Sequence, residues 1–141
     1  MDFFSEFHWW YVLIPAAAFV LLTGKSKGGV VVQRFDAQLQ VLDDRFSGCE
    51  PEASYAEFKE GSPDHIEIEL ENLSLGVGEE LELYLNESLL AKIKVEKDRE
   101  AEFDHWSDEG VAFPKIVGGE ELKIRYQGAD VLQGVFAASR S

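Results

Sequence analysis

Cysteine is almost missing from this chain: Cys49 stands alone among 141 residues. No intrachain disulfide can form, and neither a CxxC zinc site nor a dithiol redox pair is available. A single thiol beside Gly48 reads as a small apolar residue of the interior. Histidine is scarce as well, and His8, His65 and His105 are too scattered to mark a zinc site by spacing. Positive charge is the third shortage. Thirteen Lys and Arg face 27 Asp and Glu, a net charge of −14, and such a field repels phosphate backbones, which sets nucleic acid aside as a partner. A cationic partner or a divalent ion is compatible with it. The chain also lacks G-x-S-x-G, a Walker loop, a dinucleotide fingerprint and the D-x-D-x-D-G spacing of a calcium loop. In a chain this acidic, adjacent carboxylates alone nominate no acid/base pair. No catalytic residue and no cofactor are expected.

What is present divides in two. Residues 1–24 contain Asp2 and Glu6 but no Lys or Arg, and Phe7 to Gly24 is apolar apart from His8 and Thr23. As a helix that run would measure ~27 Å, close to a ~30 Å hydrocarbon core. Phe3, Phe4, Phe7, Trp9, Trp10 and Tyr11 crowd one end as an interfacial aromatic belt would. A cleaved export signal requires a basic start and a small-residue cleavage site, and neither is found around "LLTGKSKGG". A buried core helix would carry a polar stripe, and Trp9 to Leu22 has none. The expectation is a permanent single-pass transmembrane helix over 1–24, followed by a short linker, 25–29. Trp9, Trp10, Tyr11, Lys25 and Lys27 would sit at the membrane interface, with lipid as the partner. Lys25 and Lys27 follow the span directly, so the positive-inside rule puts the C-terminal domain in the cytoplasm.

From Val30 the pattern changes to period two, the mark of strands with one buried face. Ile66, Ile68 and Leu70 alternate with Glu67, Glu69 and Glu71; Leu81, Leu83 and Leu85 alternate with Glu80, Glu82 and Tyr84. Ala91, Ile93 and Val95 oppose Lys92, Lys94 and Glu96, and Leu122, Ile124 and Tyr126 repeat the scheme. Phe35, Ala37, Leu39 and Val41 form an earlier row, while "SYAEFKE", "REAEFDHW" and "VLQGVFAA" are weaker strands. Turn chemistry falls at Asn86-Glu87-Ser88, Lys97-Asp98-Arg99 and Gln127-Gly128. Short antiparallel strands at even spacing over 30–138 indicate an all-β domain, an antiparallel β-sandwich of Ig-like form or a small barrel. The Glu rows and the Lys92–Lys94 pair are expected to face one another as cross-strand ion pairs on a solvated sheet face.

The block Glu52 to Phe136 resembles a β-rich module of uncharacterised bacterial proteins. The matching residues are Glu69 to Leu73, Tyr84 to Asn86, Phe113-Pro114, Gly118-Gly119 and Val131 to Phe136. The resemblance covers about three-fifths of the chain through turn and core residues. It implies a fold and no activity, and because such modules look exported it implies an extracytoplasmic domain, against the lysine bias.

Two functional readings follow. The first is a binding or structural module that meets another protein through a sheet face or loop end, with Trp106 and Phe113 as aromatic anchors. Core packing is the plainer role for both. The second is a calcium- or zinc-dependent module or enzyme using His65, His105 and the acidic loop 104–109, "DHWSDE".

Overall fold

Alternation of apolar and charged residues yields strands here because side chains on a pleated backbone point to opposite faces in turn. A computed structural model describes residues 30–59 and 61–139. Its strands are β1 (Val31–Ala37), β2 (Gln40–Val41), β3 (Glu50–Phe58), β4 (His65–Glu71), β5 (Glu80–Leu85), β6 (Ser88–Lys94), β7 (Ala101–Trp106), β8 (Glu121–Tyr126) and β9 (Ala129–Ala138). One 3-10 turn, Asp44–Phe46, interrupts them; the Asp43 carboxylate accepts from the Arg45 N–H at 2.9 Å and caps it. No helix among the described residues is long and apolar enough to cross a membrane. The helix expected over 1–24 lies outside the described residues, as do Trp9, Trp10, Tyr11, Lys25 and Lys27.

All pairings are antiparallel, and the sheet runs β6-β5-β8-β9-β1-β3-β4-β7, with β2 added to β9. Its two edge strands, β6 and β7, are consecutive in sequence. The turn at Lys97-Asp98-Arg99 joins them, with Arg99 N–H donating to the Glu96 carbonyl at 2.8 Å and Arg99 at φ 66. The sheet therefore curls back on itself into a nearly closed, barrel-like form, which leaves only short edges to protect. The all-β, antiparallel expectation holds.

Most of the apolar rows read from the sequence form the interior, but Val41 is exposed, and Phe46, Leu73 and Ile116, which belong to none of them, are buried. Ile66, Ile68, Leu70, Leu81, Leu83, Leu122, Ile124, Val131, Leu132 and Phe136 are fully buried. Each such side chain contributes about 1.5–3 kcal/mol relative to exposure. The hairpin turns are set by backbone handedness: Asn86 and Glu87 have φ 50 and 72, and Gln127 and Gly128 have φ 53 and 83. Positive φ at both central residues is the type I′ turn, whose twist matches the strands it joins.

The strand expected to continue from Phe35 to Val41 breaks at Gln38 and Leu39, where the chain crosses over Gly134 of β9. A Cβ at Gly134 would collide with the Gln38 carbonyl oxygen and come within 3.0 Å of its carbon and of Leu39 Cδ2. Glycine there permits a backbone approach that no other residue allows.

Candidate acidic binding face

Register decides which charges meet. Pairing of β3 with β4 sets Glu50 opposite Glu71, Glu52 opposite Glu69 and Ser54 opposite Glu67. On the other side, β7 brings Asp104 opposite Glu67 and Glu102 opposite Glu69. Ile66, Ile68 and Leu70 fill the interior, so the carboxylates of all three strands share the outer face. Glu100, just before β7, adds to the row. Among the described residues none of Glu50, Glu52, Glu67, Glu69, Glu71, Glu100 and Glu102 forms an ion pair with Lys or Arg.

This corrects the expected ion-pair ladder. Lys92 and Lys94 do stand opposite Glu82 and Glu80 across β5 and β6. In the Glu67, Glu69, Glu71 row, Glu69 instead faces acids on both sides, Glu67 faces Asp104 and Glu71 faces Glu50, because β4 pairs with β3 and β7 and never meets β6. Like charges directly opposite in a sheet are destabilising.

The titration of the face follows. Burial first, then repulsion from Glu71 and Glu67, pushes the Glu69 carboxyl up to about 8. Burial, then Asp98 and Glu71, raises Glu100 to about 7. Glu67 is raised by burial and by Asp104, and Glu102 by burial and by Asp104. Glu71 is raised by burial, offset in part by a hydrogen bond with Glu69. One carboxylate oxygen from each of Glu69, Glu71 and Glu100 can lie within 4.8 Å of the others, a spacing at which three acids can share one cation.

One end of the face is aromatic. His65 stands opposite Trp106, their rings 4.4 Å apart, and the Phe58 ring lies 5.6 Å from Trp106. His65 Nε2 is 2.6 Å from Asp104 Oδ1, which ties the imidazole to the acidic row. Trp106, for which core packing was the plainer role, is the last residue of β7, where the strand expected in "REAEFDHW" ends, and stacks on this outer shelf. Phe113 takes the plainer role: it packs against the core, edge-on to Tyr55 and Phe103 at 6.3 and 6.5 Å. It also lines a largely apolar hollow of about 220 Å³ with Leu85, Leu89 and Pro114.

The two histidines do not converge. His65 and Trp106 are cross-strand partners, as are Ile66 and His105. The imidazoles therefore belong to opposite faces of the sheet. His105 packs 4.7 Å from the Phe103 ring, with Nδ1 3.1 Å from Glu109 Oε1. Tyr55, on the inner side, donates to Asp64, which also lies 3.7 Å from Lys115 Nζ. Burial, then that hydrogen bond, raises the phenol far above its usual range. Cys49 is buried, and burial with the neighbouring Glu50 and Glu71 charges pushes its thiol up to about 11. It is a packed thiol, not a nucleophile. Asn72 and Asn86 carry structure: Asn72 Nδ2 donates to the Gly48 carbonyl at 2.9 Å, and Asn86 Oδ1 accepts from Glu121 N–H at 2.9 Å.

The acids at Glu50, Glu52, Glu100 and Glu102 were missed as site residues from sequence. Their period-two spacing signals an outer face, but only the pairing order reveals that three acidic rows are neighbours. Comparison with protein-family models and with curated proteins finds no match for this chain.

Proposed function

We propose that this chain is a single-pass membrane protein whose barrel-like, sandwich-related domain is a non-catalytic binding module, and that its ligand is a Lys- or Arg-rich segment of another protein. The observation that carries the reading is the outer face of β3, β4 and β7, where acids oppose acids across two successive strand pairs. Such a register costs roughly 0.2–1 kcal/mol per like-charged pair in the free domain. Partner cations would relieve that cost on binding. The Phe58–His65–Trp106 shelf adjoins the acids and offers ring faces to a cation, worth about 0.5–1 kcal/mol at an exposed site.

The test uses the full chain in a neutral detergent and a fluorescent oligolysine peptide followed by anisotropy. Binding should weaken steeply as salt rises and should drop severalfold in Glu52→Gln/Glu102→Gln. Equal affinity in the parent and the doubly neutralised chain would refute the assignment.

The apolar, aromatic-flanked sequence of residues 1–24 supports the anchor. Lys25 and Lys27 favour a cytoplasmic domain, whereas the bacterial β-module resemblance favours an extracytoplasmic one. Protease protection of a tag after Ser141 in sealed vesicles decides between them.

A second reading, a calcium-responsive module, draws on the spacing of Glu69, Glu71 and Glu100. It moves the metal from His65, His105 and loop 104–109 to the acidic strip. Calorimetry with Ca²⁺ on the parent and on Glu69→Gln separates it from the peptide reading.

A further inference from the structure

The end of the barrel at which the chain enters exposes three apolar residues in succession, among polar neighbours that include Glu57, Asp64 and Lys115. Val30, Val31 and Val32 follow one another with 66%, 39% and 58% of their surface exposed. Lys59 N–H donates to the Val30 carbonyl at 2.9 Å and Val31 pairs with Phe58, so the three valines adjoin Phe58 and, through its ring, Trp106. Glu57 and Asp64 share this end, 3.1 and 3.7 Å from Lys115 Nζ, and Glu109 accepts from the Trp106 N–H there. Glu71, Glu50 and Glu100 belong to the opposite end, six residues along β4 from His65, or ~20 Å at a strand rise of ~3.3 Å.

We propose that this end of the domain rests on the lipid bilayer, with Val30, Val31 and Val32 pressed into the headgroup boundary and Trp106 beside them. The inference depends on the anchor proposed above. If the span ends at Gly24, only residues 25–29 separate it from Val30, and five residues reach at most ~17 Å when fully extended. The headgroup layer takes up roughly 5–8 Å of that, leaving little room for water beneath the valines. Lys25, Lys27 and Lys59 would meet anionic headgroups, each contributing as a basic residue near a charged surface does. Glu50, Glu71 and Glu100 would then lie at the end of the domain remote from the membrane.

The full chain carrying Trp9→Phe and Trp10→Phe has Trp106 as its sole tryptophan. It is reconstituted into phosphatidylcholine vesicles containing phosphatidylglycerol, with and without lipids brominated near the carbonyl end of the acyl chain. Trp106 emission should be lost in the brominated vesicles and restored by Val30→Ser/Val32→Ser. Unchanged emission in brominated vesicles, with the chain still floating with lipid and resisting carbonate, overturns the docking and spares the anchor. Quenching that survives both serine substitutions overturns the valine surface. A chain that fails to float removes the anchor and the docking together.

Discussion

Glu69 has acids opposite it on both neighbouring strands, Glu52 on β3 and Glu102 on β7. Its carboxyl, pushed up to about 8 from 4.5, binds a proton more tightly in the folded chain than in the unfolded one. The sign follows from linkage: stability falls as pH rises through the interval between the two values and recovers on acidification. Glu100, raised to about 7, acts in the same sense. Thermal melts should therefore give a higher Tm at pH 5.5 than at pH 8.5. Asp43, lowered to about 2 first by its hydrogen bond from the Arg45 side chain, works in the opposite sense but only below pH 4, outside this window. Glu69→Gln should raise Tm at pH 8.5 by roughly 2–6 °C, because losing two like-charged neighbours returns up to about 1 kcal/mol. It should also flatten the pH slope. A Tm independent of pH, or a lower Tm in Glu69→Gln, would show that the strip is compensated by groups outside the described residues. Gly134 is the opposite kind of residue, one whose lack of a side chain is the contribution. Gly134→Ala should lower stability by at least about 1–3 kcal/mol, the cost of forcing atoms into a filled space, read from urea midpoints.

At the scale of elements, the strands were largely legible and their partners were not. Rows such as Ile66, Ile68 and Leu70 announce a buried face because period two is a local property of the backbone. Pairing is non-local, and nothing within "HIEIELE" says that β3 and β7 flank it instead of β6. The Lys97-Asp98-Arg99 turn was correctly placed, yet the strands that it joins end as the two edges of the sheet. The β1 break was hidden for the same reason, since Gly134 lies almost a hundred residues from Gln38. Turns were the most readable feature. Asn86 serves both in the left-handed turn at φ 50 and as acceptor for Glu121 N–H. Asn86→Ala loses both contributions, whereas Asn86→Gly loses only the hydrogen bond. Urea unfolding should place Asn86→Ala about 1 kcal/mol below Asn86→Gly, the cost of a left-handed conformation at a residue with a Cβ. Equal midpoints would mean that the turn relaxes to another type.

For the whole molecule, the seam between β6 and β7 sets where the barrel should open first. Every strand from β5 to β4 along the sheet path is hydrogen-bonded on both sides, whereas β6 and β7 each have one neighbour. β9 is the most constrained: it pairs with β8 along most of its length, with β1 through Phe136–Ala138 and with β2 through Leu132 and Gln133. The apolar hollow lined by Leu89 and Phe113 lies beside β6, so that edge is also the less densely filled one. Opening the seam would release β6 and the outward half of β7 while leaving β9 and its neighbours paired. The acidic face would lose only its β7 row, because β3 and β4 remain joined through seven residue pairs. Native-state hydrogen exchange should accordingly give the slowest amides at Val131, Leu132 and Phe136, and faster exchange at the seam-facing amides of β6 and β7. A bound cationic peptide spanning β4 and β7 would slow exchange in β7 and leave β6 unchanged. Protection of β6 alone would instead indicate that a partner adds to the open edge beside the hollow, and would move the binding surface from the acidic strip to the seam.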